Sequence, residues 1–204
     1  MKVLRTLLAS LLVLAAGLAI LLYATDGLRA FTSETARRIS ISEHPRAIPP
    51  VVLQTAAGER IRFTDLHGRW LLVDFIYTRC ETYCSAQGSE FAQLQRRLAE
   101  PIAAEQVLLL SISFDPHDGP QQLADYQRRF GDQGTGWIAA RAVNDDGRKA
   151  LMRVFGVTAV ADEVGGFVHN AAINVVDPSG QLVAIRDWND AHGAVDYIMQ
   201  RSLP

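Results

Sequence analysis

Cys80 and Cys84, four residues apart, are the whole thiol content of this 204-residue chain. Residues i and i+4 are neighbours on a helical turn. Two thiols so placed can close a reversible disulfide or hold one soft metal ion as thiolates. With no third cysteine, they are not part of a disulfide scaffold. The run before them, Leu71-Leu72-Val73-Asp74-Phe75-Ile76-Tyr77, reads as a buried central strand. The stretch from Ser85 to Leu98 reads as a helix, with Phe91, Leu94 and Leu98 at i, i+3 and i+7. The pair therefore belongs to a strand-to-helix junction. Backbone N–H groups and the helix dipole favour an anion there, so a thiolate forms more easily than in free cysteine. Thr78 and Glu81 have capping-box spacing, Arg79 adds a positive neighbour, and Gly88 suggests close packing of the helix on a sheet.

A third ligand would come from one of five histidines. His44, His67, His117 and His192 lie in polar turns, a linker or near a helix start, where surface roles dominate. His169 follows Gly165-Gly166 and begins an apolar run beside Phe167 and Val168. That setting suits a core histidine and a metal ligand equally. Two thiolates and one imidazole form a distinctive set: thiolates select Cu(I), and imidazole also suits Cu(II). Zinc accepts the same atoms, but a closed structural zinc site needs four ligands.

These residues need a scaffold, and the rest of the chain supplies an alternating one. Val51–Gln54 and Arg60–Phe63 read as a hairpin about Ala57-Gly58. Trp70–Tyr77 and Gln106–Phe114 read as core strands, and Trp137–Ala142 as a third. Pro120–Phe130 and Asp145–Phe155 read as helices, the second capped by Asn144. Val168–Val176 and Gln181–Arg186 are predicted to form a hairpin across Asp177-Pro178-Ser179-Gly180, ahead of a last helix over Asp190–Arg201. The pattern predicts an α/β domain with a mixed sheet flanked by helices.

Leu7–Ala24 is an 18-residue run, apolar but for Ser10, behind Lys2 and Arg5. That is long enough to span a bilayer, and longer than the usual apolar region of a signal peptide. The expected layout is a transmembrane anchor over 1–25, a polar, irregular tether over 26–50 and a domain over 51–204. The two basic residues keep the N-terminus cytoplasmic. The expected location is a single-pass, bacterial-type inner membrane protein with its C-terminal domain in the periplasm or otherwise outside the cytoplasm. An exported compartment lets disulfides persist. The net charge of −2 gives no general attraction to nucleic acid.

With these residues in view, the chain resembles the SCO/SenC family of membrane-tethered copper proteins. Phe75-Ile76-Tyr77-Thr78-Arg79-Cys80-Glu81-Thr82-Tyr83-Cys84 is similar to that family's F-x-Y-T-x-C-x-x-x-C segment. Ser113-Phe114-Asp115-Pro116 resembles its S-x-D-P loop, and Val168-His169-Asn170 through Gly180 its histidine strand and turn. Glu81, Thr82 and Ser85 stand where the family carries Pro, Asp and Pro. The resemblance implies a thioredoxin-like fold with an inserted hairpin. It implies one copper bound by Cys80, Cys84 and His169, with Asp115 a candidate to orient the imidazole. It also implies that the protein delivers copper to, or reduces, the dinuclear copper site of cytochrome c oxidase, making a copper-accepting oxidase subunit the partner. The competing expectation is an exported thiol–disulfide oxidoreductase, with Cys80 as redox nucleophile and Cys84 as resolving thiol.

Overall fold

The computed structural model of this chain describes residues 2–79, 83–130, 136–163 and 166–202. Helix α1 (Lys2–Ala24) stands apart, with none of its residues buried. Helix α2 (Ser33–Glu43) follows, and then the sheet begins with β1 (Arg46–Ala47), β2 (Val52–Thr55) and β3 (Arg60–Arg62). The chain continues through β4 (Trp70–Ile76), α3 (Tyr83–Arg97), α4 (Ala99–Ala103), β5 (Val107–Ser113), α5 (Pro120–Phe130), β6 (Trp137–Ala142) and α6 (Asp145–Phe155). It ends with β7 (Ala159–Ala161), β8 (Phe167–His169), β9 (Ala172–Val176), β10 (Gln181–Asp187) and α7 (Ala191–Ser202).

Eight strands form one mixed sheet in the order β1-β10-β9-β4-β5-β6-β2-β3. The β4, β5 and β6 strands are parallel, with Trp70 through Ile76 paired in register to Val107 through Ser113. These strands are predominantly apolar because both faces are covered. Leu72 and Ile76 face α3, α5 and α7, packing with Phe91, Leu94, Leu123, Tyr126 and Ile198. Leu71, Val73 and Phe75 face the other way, onto Ile41 of α2, Phe63, and Leu151 and Phe155 of α6. This is a thioredoxin-like layer arrangement.

Three local expectations differ from the structure. Val168–Val176 is not one strand. β8 pairs with β7 in a separate ribbon, Ala159 opposite His169, while β9 enters the main sheet beside β4 and β10. Asn170 divides the run. Its side chain accepts the Thr158 amide at 2.8 Å and donates to the Gly156 carbonyl at 3.0 Å, and the Ala171 amide turns back onto the His169 carbonyl. The segment 26–50 is not irregular either. Thr32 caps α2, Ile41 is fully buried, and β1 pairs with β10. The signal was a capping threonine ahead of a polar helix with two isoleucines, Ile39 and Ile41, too sparse a pattern to read as amphipathic. Gly88 packs closely, but on the Phe130 ring of α5 rather than on the sheet.

Candidate metal-binding site

The parallel strands β4 and β5 end side by side, so the loops after them meet at one edge of the sheet. Crevices at the carboxyl ends of parallel strands are where such folds place ligands. A buried carboxylate, Asp118, ties the two loops together. It accepts the Thr78 amide at 2.9 Å, the Thr78 hydroxyl at 2.6 Å and the Ser113 hydroxyl at 2.6 Å. Three donors on one carboxyl group make a strong anchor. Thr78 is therefore held two residues ahead of Cys80; Glu81, its partner in the expected capping box, lies outside the described residues, and the described part of α3 starts at Tyr83.

A second buried carboxylate, Asp115, works outward. One of its oxygens takes the Arg79 guanidinium at 2.8 and 3.2 Å; the other takes the His117 amide at 2.9 Å and ring nitrogen at 2.8 Å. Burial alone would push its pKa up. The His117 amide, Arg79 and the His117 ring outweigh that and hold it below the usual carboxylate range. Asp115 does not orient His169, as the resemblance implied; both its oxygens are engaged by Arg79 and His117.

His169 reaches the same edge from the β7–β8 ribbon. Its ring stacks edge-on to Phe114 at 5.1 Å and Tyr77 at 6.3 Å between centroids, with Phe167 beside both. The Tyr77 hydroxyl donates to the Phe167 carbonyl at 3.1 Å, fixing the ribbon to the end of β4. The Nδ1 atom of His169 is buried and has no hydrogen-bond partner. Burial lowers the imidazole pKa, so the ring is neutral at neutral pH. A neutral imidazole with a free, buried nitrogen is the form that binds a metal. On the far side, Asn170 also approaches Glu34 of α2 at 3.5 Å, so α2 braces the strand that carries His169.

The other expected residues divide clearly. Cys84 is the second residue of α3, so the strand-to-helix placement holds. Cys80, Glu81, Thr82 and the Cys84 side chain lie outside the described residues. Among the described residues no three His, Cys, Asp or Glu side chains converge to hold a metal. His44 ends α2, His67 lies against Gly180, His117 is bound to Asp115, and His192 opens α7. Asp118 and Pro120 were matched by resemblance to the family's later D-T-P, but sequence reasoning gave Asp118 no role; a second acid three residues after Asp115 is common in loops, and nothing local signalled that it ties two loops together.

Comparison with known proteins converges on one group. The SCO1/SenC family model matches residues 40–201. The chain is similar to the SCO1 protein homolog of Bacillus subtilis, 26% identical over 146 residues, covering 70% of this chain and 73% of that protein. Among solved structures it is similar to Arabidopsis thaliana ScoI with copper bound, with a TM-score of 0.66 and 23% identity. That match covers 77% of this chain and 100% of that one. It is also similar to BsSco, described as a member of the Sco family of cytochrome c oxidase assembly proteins with a disulfide switch. There the TM-score is 0.68 and the identity 21%, covering 78% of this chain and 95% of that one.

Proposed function

The chain belongs to the SCO1/SenC family, and from that premise we propose that it carries copper on Cys80, Cys84 and His169 in the assembly of cytochrome c oxidase. The observation that carries the reading is the unpartnered, buried Nδ1 of a neutral His169, seated at the strand ends where β4 feeds toward the two cysteines. A buried polar atom without a partner needs an explanation, and a metal ion supplies one. Copper here is cargo rather than a resident cofactor. The two thiolates hold it as Cu(I), and the imidazole extends the site to Cu(II). Asp118 fixes Thr78, and so the approach of the chain to Cys80. The aromatic ribbon of Tyr77, Phe114 and Phe167 keeps water from the back of the imidazole. Helix α1 is 23 residues long, about 34 Å at 1.5 Å per residue, and spans a bilayer core of roughly 30 Å. The basic Lys2 and Arg5 ahead of it favour an orientation with the domain outside the cytoplasm.

The test is copper stoichiometry and Cu(II)–thiolate absorption on the reduced domain from Ser33 onward. Wild type binds one copper per chain. His169→Ala loses Cu(II) but keeps the capacity to form a Cys80–Cys84 disulfide; Cys80→Ala or Cys84→Ala loses both. Copper binding by His169→Ala equal to wild type would make His169 a packing residue. The second reading, thiol–disulfide exchange by Cys80 and Cys84 toward the cysteines of the oxidase copper site, would then move ahead. The disulfide switch described for BsSco favours keeping that reading in view.

A further inference from the structure

The segment that joins α1 to α2 is folded, and its backbone is strained. Asp26, Gly27 and Leu28 have φ of 48°, 68° and 69°, three left-handed residues in a row of which only one is glycine. That conformation is costly for a residue with a Cβ and normally occurs singly. The turn is held from several sides. The Thr25 hydroxyl donates to the Leu21 carbonyl at 2.6 Å and accepts the Leu28 amide at 3.0 Å. The Gly27 amide reaches back to the Leu22 carbonyl at 2.7 Å, and the Arg29 and Ala30 amides reach the Thr25 carbonyl at 2.9 and 2.8 Å. Arg29 bridges Asp26 of the turn and Glu43 at the end of α2, at 3.5 and 2.6 Å. Thr25 and Ala30 are buried. Strain that the surroundings overdetermine in this way points to a use for the geometry it imposes.

What the turn leaves outside is apolar. Leu28 is 47% exposed and Phe31 70%. Phe31 stands directly before Thr32, the cap of α2, and Glu34 in the first turn of that helix approaches Asn170 at 3.5 Å. Asn170 follows the β7–β8 ribbon, in which Val160 and Val168 are paired directly opposite each other. Both valines are well exposed. Strand alternation explains why: Phe167 and His169 pack on Tyr77 and Phe114, so Val168 and its partner point away from that cluster. Outside α1, the described residues expose one further large apolar side chain, Met199 of α7. The exposed apolar surface of the domain is therefore gathered where α1 leaves it, at the end that carries His169.

We propose that this end of the domain rests on the lipid surface, with Leu28, Phe31 and the Val160–Val168 pair set into the interfacial layer of the bilayer that α1 crosses. This rests on the reading of α1 as a membrane span. Side chains held just past the end of a spanning helix lie at headgroup depth, where aromatic residues are favoured. Apolar groups lying in that layer are buried roughly 5–10 Å, to the boundary of headgroups and acyl chains. The linking segment offers little slack, because its amides are committed to the turn and Thr32 already caps α2. The contact is apolar rather than electrostatic. Arg29 is paired with Asp26 and Glu43, and the acids Asp162 and Glu163 follow β7 in the ribbon. Anionic lipid is therefore not required. Docking in this way holds the His169 edge beside the membrane instead of leaving the domain to swing on a tether.

The test uses the full chain in phosphatidylcholine nanodiscs doped with a phosphatidylcholine that carries a photoactivated diazirine on its acyl chain. After illumination, lipid adducts are mapped by mass spectrometry. They are expected on α1, on residues 28–31 and on the ribbon, and to persist in high salt. Adducts on α1 alone would overturn the proposal. Adducts on α1 and residues 28–31 without the ribbon would reduce the contact to a juxtamembrane anchor and overturn docking of the domain. An α1 free of adducts would overturn the membrane-span reading itself, a distinct failure. Variants then separate docking from chance labelling. Val168→Glu, on the exposed face of the ribbon, is expected to lose the ribbon adducts while keeping those on α1; ribbon adducts unchanged in this variant would overturn the proposal. Proline cannot adopt the left-handed φ of Gly27 and lacks the amide that bonds Leu22. Gly27→Pro is expected to lose the ribbon adducts too. Gly27→Asn tolerates that conformation, with open space for its Cβ, and is expected to keep them. Ribbon adducts equal to wild type in Gly27→Pro would overturn the part assigned to the turn.

Discussion

Two buried aspartates, Asp118 and Asp74, show how environment decides what a carboxylate does. Asp118 is buried but saturated, with three donors from Thr78 and Ser113. Asp118→Ala strands those donors, and hydrogen bonds to an ionised acceptor are worth about 1.5–3 kcal/mol each before relaxation. Urea unfolding of the variant is expected to show a loss of about 3 kcal/mol with an unchanged denaturant slope. Asp74 is buried with no charged partner, and its effect on stability runs the other way with pH. Its folded pKa of about 8 lies above the unfolded value of 3.8. The folded state therefore binds a proton that the unfolded chain has released. The stability Asp74 contributes is full below about pH 4, declines as pH rises, and is gone above about pH 8. Asp74→Asn removes that decline. Parallel urea melts at pH 5 and pH 8.5 are expected to show a gap in favour of the variant at the higher pH, on the order of 3 kcal/mol, that closes toward the lower one.

At the scale of elements, the segment before the sheet acts as a brace. α2 lies along β10, where Arg38 bonds Asp187 at 2.7 Å, and Arg37 reaches the Phe155 carbonyl at the end of α6. Glu34 is held ionised against its burial by Arg37 and Arg38, and also meets Asn170, next to His169. Gly156 is the junction of this arrangement. It ends α6 with a φ of 66°, its carbonyl accepts Asn170, and a Cβ there would stand 2.7 Å from the Arg37 side chain. Gly156→Ala is expected to lower stability by roughly 1–2 kcal/mol, combining left-handed strain with displacement of Arg37. It should also broaden the His169 ring signals in NMR spectra, because the strand loses part of its anchor. Unchanged His169 signals would show that α2 and α6 do not hold that strand.

On the scale of the whole molecule, α1 and the domain are physically separate problems. α1 exposes every one of its apolar side chains, while the domain encloses its two apolar layers around one sheet. The full chain is expected to stay with the membrane fraction through high-salt extraction and to leave it only with detergent. The chain from Ser33 onward is expected to be soluble, with a melting temperature a few degrees below that of the detergent-solubilised full chain, because α1 buries nothing and only the buried Thr25 and Ala30 and the Thr32 cap of α2 are lost with it. A reporter fused after Pro204 would be active outside the cytoplasm if the basic N-terminal flank sets the orientation.

The sequence alone determined what rests on local pattern. Periodicity placed β4, β5, α3 and α5, because buried strands and amphipathic helices repeat at fixed intervals over lengths that average out noise. The cysteine spacing at the β4-to-α3 junction, and the apolar length of α1, were likewise legible as short-range features. The family resemblance brought in His169, which local sequence left as either core or ligand. Tertiary structure decided the rest, because the rest depends on residues far apart in sequence. Asn170 splits an apolar run through contacts with Thr158 and Gly156, and Ile41 finds a core that its own helix does not announce. Asp118 anchors a loop 40 residues before it. Asp74 looked like one polar letter in a strand; only the layer of helices above it makes it a buried acid.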